Sequence, residues 1–245
     1  MMNRLSLINA LINASNYNTY LEIGCYKGRT FFEVKAKTKI AVDPAFHWTF
    51  YKHLISNYFK NHKLLIFKKP SDVFFSRKKS VLKKQTPLDI ALIDGLHTFH
   101  ASLKDVFNTL RYLQEKGTII LHDCNPPNAG AAMPTINFPT KTEQMACSDW
   151  TGAWCGDVWK TVVYLKKHHA EALDVKVVNT DSGLGIVTLK PGAKEQAFAI
   201  DDANFKAIDA MGYEDLVNNK GVLLSLTTVS DFKVQLKERF SKIKF

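Results

Sequence analysis

Acidic and imidazole side chains follow two apolar segments near the middle of the chain. The residues concerned are Asp94, His97, His122 and Asp123. Proteins use carboxylates and imidazoles to move protons, and carboxylates also hold divalent cations. Their repetition after two similar segments predicts a site for acid–base or metal-assisted chemistry. The simpler alternative is that each aspartate only caps the turn that follows it.

The two apolar segments are predicted to be neighbouring strands. Leu88–Ile93 and Thr118–Leu121 are short and rich in β-branched residues, which is typical of buried parallel strands. Apolar residues between them recur at helical spacing, which predicts a helix: Leu103, Val106, Phe107, Leu110 and Leu113. Lys116 and Gly117 are predicted to end this helix. Strand–helix–strand units place ligands at the carboxyl ends of their strands, so the four side chains should face one crevice.

A second candidate binding feature is a turn with glycines at positions 24 and 28, which follows an apolar strand. Glycine lets the backbone approach a ligand closely. The spacing differs from the dinucleotide fingerprint and from the P-loop, which argues against NAD and ATP. Asp43 ends the next predicted strand, about twenty residues after the first glycine, as suits a carboxylate that binds a ribose diol. It would otherwise be an ordinary turn aspartate.

The remaining pattern continues the alternation of strands and helices. We expect an N-terminal helix over residues 4–15, a helix over Phe50–Phe59, a strand over Leu64–Phe67, and a helix capped by Ser71. Val175–Val178 and Leu184–Leu189 are predicted to form a hairpin at the sheet edge. Residues 126–150 are proline-rich, and we expect them to be a loop that covers the substrate.

Composition is that of a soluble globular protein, with 46% hydrophobic and 23% charged residues among 245. The net charge of +10 is concentrated in segment 60–84. We interpret this segment as a solvated surface, with an anionic partner as the open alternative. No apolar run is long enough to span a membrane, and the N-terminus is a poor signal peptide. The four cysteines show no pairing pattern, so we predict a reduced, cytoplasmic protein.

Five segments carry a family resemblance: LEIGCYKG, AVDP, KPSDVFF, LDIALIDGLHTF and GTIILHDCNPP. Together they resemble the class I S-adenosylmethionine (SAM)-dependent methyltransferases. More narrowly, they resemble the methyltransferase-24 family, which is related to catechol and macrolide-sugar O-methyltransferases. The similarity spans Tyr20 to Lys190. It implies an α/β, Rossmann-like seven-stranded sheet of order 3-2-1-4-5-7-6, with the last strand antiparallel and helices on both faces.

The resemblance also implies roles for individual residues around SAM. Gly24 and Gly28 would admit its methionine part, with Glu22 supporting the turn. Asp43 would hold the ribose hydroxyls. The remaining residues expected beside the cofactor are Ser71 and Asp72, near the adenine, and Asp94.

Catalysis is assigned by the same resemblance. Asp94 and Asp123 match Mg²⁺ ligands of metal-dependent relatives, but His122 and Cys124 depart from the expected pattern, so the metal is left open. His97 lies three residues beyond Asp94, as in the DxxH motif of the macrolide-sugar enzymes, and the resemblance implies that it acts as a general base. An imidazole titrates near neutral pH and can take a proton from an attacking hydroxyl group.

The sequence therefore predicts a SAM-dependent methyltransferase domain over residues 1–192, with a helical C-terminal extension over 193–245. The expected reaction is O-methylation of a sugar or another small hydroxylated molecule, with Trp150 and Trp154 packing either on that acceptor or in the core. We expect neither a membrane nor a nucleic-acid partner, and homo-oligomers are left open. The alternatives are a nucleic-acid methyltransferase, a related hydroxylase and a non-catalytic SAM-binding protein.

Overall fold

A computed structural model describes residues 2–48, 63–84, 87–241 and 243–245. Its strands form one sheet in the order β3-β2-β1-β4-β5-β7-β6-β8. The strands are β1 (Thr19–Ile23), β2 (Thr38–Asp43), β3 (Lys63–Lys68), β4 (Leu88–Ile93), β5 (Leu113–Leu121), β6 (Leu173–Val178), β7 (Leu184–Leu189) and β8 (Leu226–Thr227). The predicted seven-strand order is confirmed, with β7 antiparallel to both β5 and β6. The eighth strand is short and pairs parallel with β6.

Helices cover both faces of this sheet. They are α1 (Arg4–Ser15), α2 (Arg29–Glu33), α3 (Ser71–Arg77), α4 (Lys79–Lys84), α5 (Phe99–Leu110), α6 (Lys141–Ala146), α7 (Trp159–His168), α8 (Asp202–Asp209), α9 (Tyr213–Leu224) and α10 (Val229–Arg239). Helices α3, α4, α5, α7, α8 and α9 contribute to the core on one face. Helices α1, α2 and α10 contribute to the core on the other. None of the described helices is long and apolar enough to cross a membrane.

The C-terminal extension is part of this architecture. Ile208 and Leu216 join the core on one face, whereas Phe232 and Leu236 pack on the other face with α1. Residues 193–245 therefore wrap the edge of the sheet and complete both layers.

Two local predictions differ from the structure, and a third is not tested by it. Helix α5 ends at Leu110, and Leu113 and Gly117 lie inside β5, where a register shift accommodates the longer strand. Ser71 is the first residue of α3, and Pro70 occupies the cap position without a side-chain bond. Proline is well suited to a helix start because it has no N–H to satisfy. The helix predicted over Phe50–Phe59 lies outside the described residues.

The segment predicted as a loop over 126–150 is partly folded. It contains α6, and Asp149 accepts the backbone N–H groups of Ala129 and Gly130, both at 2.9 Å. Ala131 is buried, and its carbonyl accepts the N–H of Cys155 at 2.7 Å. These bonds hold the segment in place above the ends of the strands.

Candidate active site

A buried imidazole lies among three carboxylates at the ends of the central strands. His122 Nδ1 is 2.8 Å from Asp123 Oδ2 and 3.2 Å from Asp94 Oδ1, while Nε2 is 3.4 Å from Asp181 Oδ1. The Nδ1 contacts lack hydrogen-bond geometry, so the attraction there is between charges. Burial alone would lower the pKa of His122, but the charge of Asp94 and the contacts with the other two carboxylates raise it to about 11. The three carboxylates therefore favour the imidazolium form of His122.

Arg4 supplies a second cation to the same carboxylates. It is the first residue of α1, and its Nη1 lies 2.5 Å from Asp94 Oδ2. Its Nε and Nη2 donate to the two oxygens of Asp181 at 3.1 and 3.3 Å. Burial would raise the pKa of both aspartates, but the neighbouring imidazoles and Arg4 outweigh it. The pKa of Asp94 falls well below its usual range, and that of Asp181 falls to about 2.

His97 lies at the opening of the crevice, with one-fifth of its side chain exposed. Its Nδ1 is 3.0 Å from the Trp154 carbonyl oxygen, and its ring stacks on the Trp154 ring at 4.8 Å. Its Nε2 is 3.4 Å from Asp123 Oδ2 and 3.6 Å from Asp94 Oδ1. Burial would lower the pKa of His97, but bonding to Asp94 and the charges of both aspartates raise it above the usual value.

Asp94, His97 and Asp123 form a group that could bind a cation. Their ligand atoms all lie within 4.8 Å of one another. Mg²⁺ prefers oxygen ligands, whereas a mixed set of carboxylates and imidazole also suits manganese, iron or zinc. The donor set therefore fits a divalent cation.

The glycine turn after β1 packs directly against the turn after β4. Gly24 has φ of +86°, and a Cβ there would lie 1.9 Å from the Asp94 carbonyl oxygen. Gly28 has φ of +75°, and a Cβ would lie 2.6 Å from the Phe32 ring. Both positions require glycine, but Gly24 is required by close packing of two turns rather than by an open surface.

Glu22 lies beneath this turn, where it is buried and accepts a hydrogen bond from the hydroxyl of Tyr20. Burial raises the pKa of Glu22 to about 8, with the charge of Asp94 adding to the increase and the Tyr20 bond opposing it. The supporting role expected of Glu22 stays a prediction, since its side-chain hydrogen bond is to Tyr20 in the same strand.

Asp43 is also buried, at the end of β2. Its Oδ2 accepts the N–H of Tyr26 at 2.8 Å, and its Oδ1 accepts the N–H of Ala45 at 2.7 Å. Asp43 therefore organises the turn, as the simpler interpretation anticipated. Each carboxylate oxygen has a further lone pair, so Asp43 can still accept hydrogen bonds from ribose hydroxyls.

The residues expected beside adenine lie in two different environments. Asp72 is exposed and pairs with Lys104 at 3.0 Å. Ser71 is half-buried and bonds to Asp105, a carboxyl group on α5 that sequence reasoning missed. Asp105 is buried with one oxygen unpartnered, and burial raises its pKa to about 7.

The structure thus brings Asp94, His97 and Asp123 together and adds Arg4 and Asp181, which were not foreseen. Arg4 is the single charged residue of α1 and lies at its first position. This isolated charge at the start of an otherwise uncharged helix is the feature of the sequence that could have pointed to Arg4. Asp181 lies in the turn between β6 and β7 with φ of +49°, where it resembles any turn aspartate. Nothing in the local sequence separates it from that interpretation.

Comparison with known proteins adds a family match. Residues 21–124 match the Methyltransf_24 family, which is described as a methyltransferase domain. No curated protein matches the chain.

Solved structures share the fold. The SAH-bound methyltransferase PaMTH1 from Podospora anserina is 16% identical, with 78% of this chain and 80% of that chain covered and a TM-score of 0.50. The O-methyltransferase TomG from Streptomyces achromogenes, solved with SAM and involved in Tomaymycin synthesis, is 11% identical. That match covers 76% of this chain and 79% of that chain at a TM-score of 0.51. At these identities the likeness establishes the Rossmann-like methyltransferase fold.

Proposed function

We propose that this chain, whose residues 21–124 match the Methyltransf_24 family, transfers the methyl group of SAM to a hydroxyl group. The acceptor is a sugar or another small hydroxylated molecule. The observation that carries the proposal is the setting of His97: one ring nitrogen is fixed by a backbone carbonyl, and the other faces two carboxylates at the crevice.

The turn after β1 and the ends of β2 and β4 would bind the cofactor. When bound, SAM supplies an electrophilic methyl group on a sulfonium. Gly24 and Gly28 shape the turn beside its methionine part, and Asp43 holds the ribose. The other proposed cofactor contacts are Glu22 as the support of the turn, Ser71 and Asp72 near the adenine, and Asp94.

His97 would act as the general base. With Nδ1–H donated to the Trp154 carbonyl oxygen, the neutral ring carries its lone pair on Nε2. Nε2 then takes the proton of the acceptor hydroxyl as its oxygen attacks the methyl group. Asp94 and Asp123 stabilise the imidazolium that forms, because both lie within 3.6 Å of that nitrogen.

A divalent cation is the second candidate for activating the hydroxyl. Asp94 and Asp123 would hold it, with His97 as a third ligand, and the ion would lower the pKa of a bound hydroxyl group. A ligating Nε2 cannot also accept the proton, so the two roles of His97 exclude each other. The close approach of the ligand atoms of Asp94, His97 and Asp123 supports the metal-dependent route.

One assay tests whether His97 takes part in methyl transfer, in either role. Purified wild type, His97→Ala and His100→Ala are tested for binding of the demethylated product SAH and for methyl transfer to a panel of small hydroxylated molecules. His100 is exposed one helical turn away and serves as the matched control. We expect His97→Ala to keep SAH binding and to lose about 10²–10⁴-fold in transfer rate. Full activity of His97→Ala would contradict the proposal.

The same preparations test the metal and the alternatives. If the metal-dependent route operates, EDTA abolishes transfer and Mn²⁺ or Mg²⁺ restores it. A product that gains one oxygen instead of one CH₂ would indicate the hydroxylase. RNA or DNA binding that survives moderate salt would indicate a nucleic-acid enzyme. SAH binding without turnover on any acceptor would indicate a non-catalytic protein.

A further inference from the structure

Arg4 keeps part of its hydrogen-bonding capacity in the crevice. A guanidinium has five N–H donors, and Nε, Nη1 and Nη2 each donate one to Asp94 or Asp181. Among the described residues, this leaves one N–H on Nη1 and one on Nη2 without a protein acceptor. About a quarter of the side chain is exposed, so that an incoming ligand can reach it.

Arg4 is held in position by the start of its own helix. Its backbone N–H donates to Asp181 at 2.8 Å, and the side chain of Asn3 caps α1 with a reciprocal bond to Ser6. The Met2 carbonyl oxygen accepts the hydroxyl of Thr180 at 2.7 Å. Arg4 is therefore a fixed part of the crevice rather than a mobile surface side chain.

The Arg4–Asp94 pair lies beside the glycine turn. The Asp94 backbone is in direct contact with Gly24, and the Asp94 side chain contacts Arg4 at 2.5 Å. A cationic group and an anionic group thus lie side by side at the place proposed for the methionine end of SAM. That end carries an α-ammonium and an α-carboxylate, whose charges complement this pair.

We propose that Arg4 binds the α-carboxylate of SAM through its two remaining N–H donors, while Asp94 accepts a hydrogen bond from the α-ammonium. This inference rests on the proposed function, because it names SAM as the ligand. It adds a contact from the N-terminal helix to the cofactor site. A planar guanidinium suits a carboxylate because two parallel N–H···O bonds can form.

The test separates the carboxylate from the rest of the ligand. SAH and its decarboxylated analogue, which keeps the amine, are titrated calorimetrically in EDTA into wild type, Arg4→Gln and Arg111→Gln. Arg111 is an exposed arginine just beyond the end of α5 and serves as the matched control. We expect Arg4→Gln to bind SAH about 10–100-fold more weakly, to bind the analogue normally, and to lose the wild-type preference for SAH. Arg111→Gln should behave as wild type.

Other outcomes overturn the inference. Equal weakening of both ligands by Arg4→Gln would mean that Arg4 only supports the local structure. Unchanged SAH affinity would mean that it does not contact the carboxylate. If wild type binds neither ligand, the proposed function itself fails.

A second variant keeps the test decisive if Arg4→Gln does not fold. Arg4→Lys retains a charge for Asp94 but cannot form two parallel bonds to a carboxylate. It should weaken SAH about tenfold and leave the decarboxylated analogue unaffected. If Arg4→Lys binds both ligands as wild type does, the inference is wrong.

Discussion

The two halves of the crevice are built by different means. On the side of β1 and β2, backbone geometry dominates: Gly24 and Gly28 have positive φ, and Asp43 is bonded to two backbone amides. On the side of β4 and β5, charged side chains dominate, and they come from well-separated parts of the chain. They are Arg4, Asp94, His97, His122, Asp123 and Asp181.

The two halves of the crevice should differ in the substitutions that they accept. The glycine turn does not tolerate an added methyl group, because a Cβ at Gly24 would meet the Asp94 backbone and a Cβ at Gly28 would meet the Phe32 ring. A side-chain cluster tolerates changes of shape but not of charge, since each ion is balanced by its neighbours. Substitutions on the two sides should therefore fail in different ways.

The largest effect should follow from Gly24→Ala. The new Cβ would meet the Asp94 carbonyl oxygen at 1.9 Å, and φ of +86° adds strain. We expect a loss of about 4 kcal/mol in the free energy of unfolding, measured by urea denaturation. Gly192→Ala is the control, because φ there is +79° but no atom lies within 4 Å of a Cβ. If the two variants lose the same stability, the tight junction between the turns is not as described.

A change of charge on the other side should have the next largest effect. Asp94→Asn removes the anion that lies between His122 and Arg4. We expect a loss of about 3 kcal/mol in the free energy of unfolding, together with loss of methyl transfer. Asp72→Asn is the control, because its exposed pair with Lys104 should contribute less than about 1 kcal/mol. Equal losses in the two variants would show that the cluster is no more than a surface network.

Asp105 gives a pH-dependent prediction on the cofactor side. Burial raises its folded-state pKa to about 7, above the usual value of 3.8. Between these values the unfolded chain ionises while the folded protein stays protonated, so the free energy of unfolding falls as the pH rises from about 4 to about 7. Asp105→Asn should thus gain up to about 4 kcal/mol over wild type at pH 8 and little at pH 4. Urea denaturation at both pH values measures this, and a gain that is the same at both would contradict the assignment.

The smallest effect should come from Trp154, which stacks on His97. Trp154→Ala leaves the backbone carbonyl in place but removes the ring that orients the imidazole. We expect about a tenfold lower kcat, equivalent to about 1.4 kcal/mol, with unchanged SAH affinity. Trp154→Phe should recover most of the rate because it restores a flat ring. A weaker affinity for SAH in the alanine variant would place Trp154 on the cofactor side instead.

The comparison also explains what the sequence could predict. The glycine turn and the two central strands are local patterns, and β4 was predicted with its observed bounds, Leu88–Ile93. The placement of Asp94 and Asp123 followed from the rule that parallel strands end at one edge. Ser71 was assigned as a cap because a favourable residue type was present, but Pro70 already fitted that position.

The side-chain half was only partly predictable because its contacts are distant in sequence. Arg4 lies 90 residues from Asp94, and His97 lies 57 residues from Trp154. Patterns within a short stretch of sequence do not reveal contacts between residues so far apart. The roles of Glu22, Asp43, Ser71 and Asp72 at the cofactor, and of His97 as base, stay predictions until ligands are measured.

The pairing of Arg4 with Asp181 has a consequence for the order of folding. These residues are 177 positions apart, so that their contact closes a loop of most of the chain. Closing so long a loop is entropically costly, and contacts of this kind form late. In refolding, helical and strand content should therefore return first, and the charge cluster should be complete only after the β6–β7 hairpin has docked beside β5. Most of the helices and strands would therefore form before the charge cluster of the candidate active site is complete.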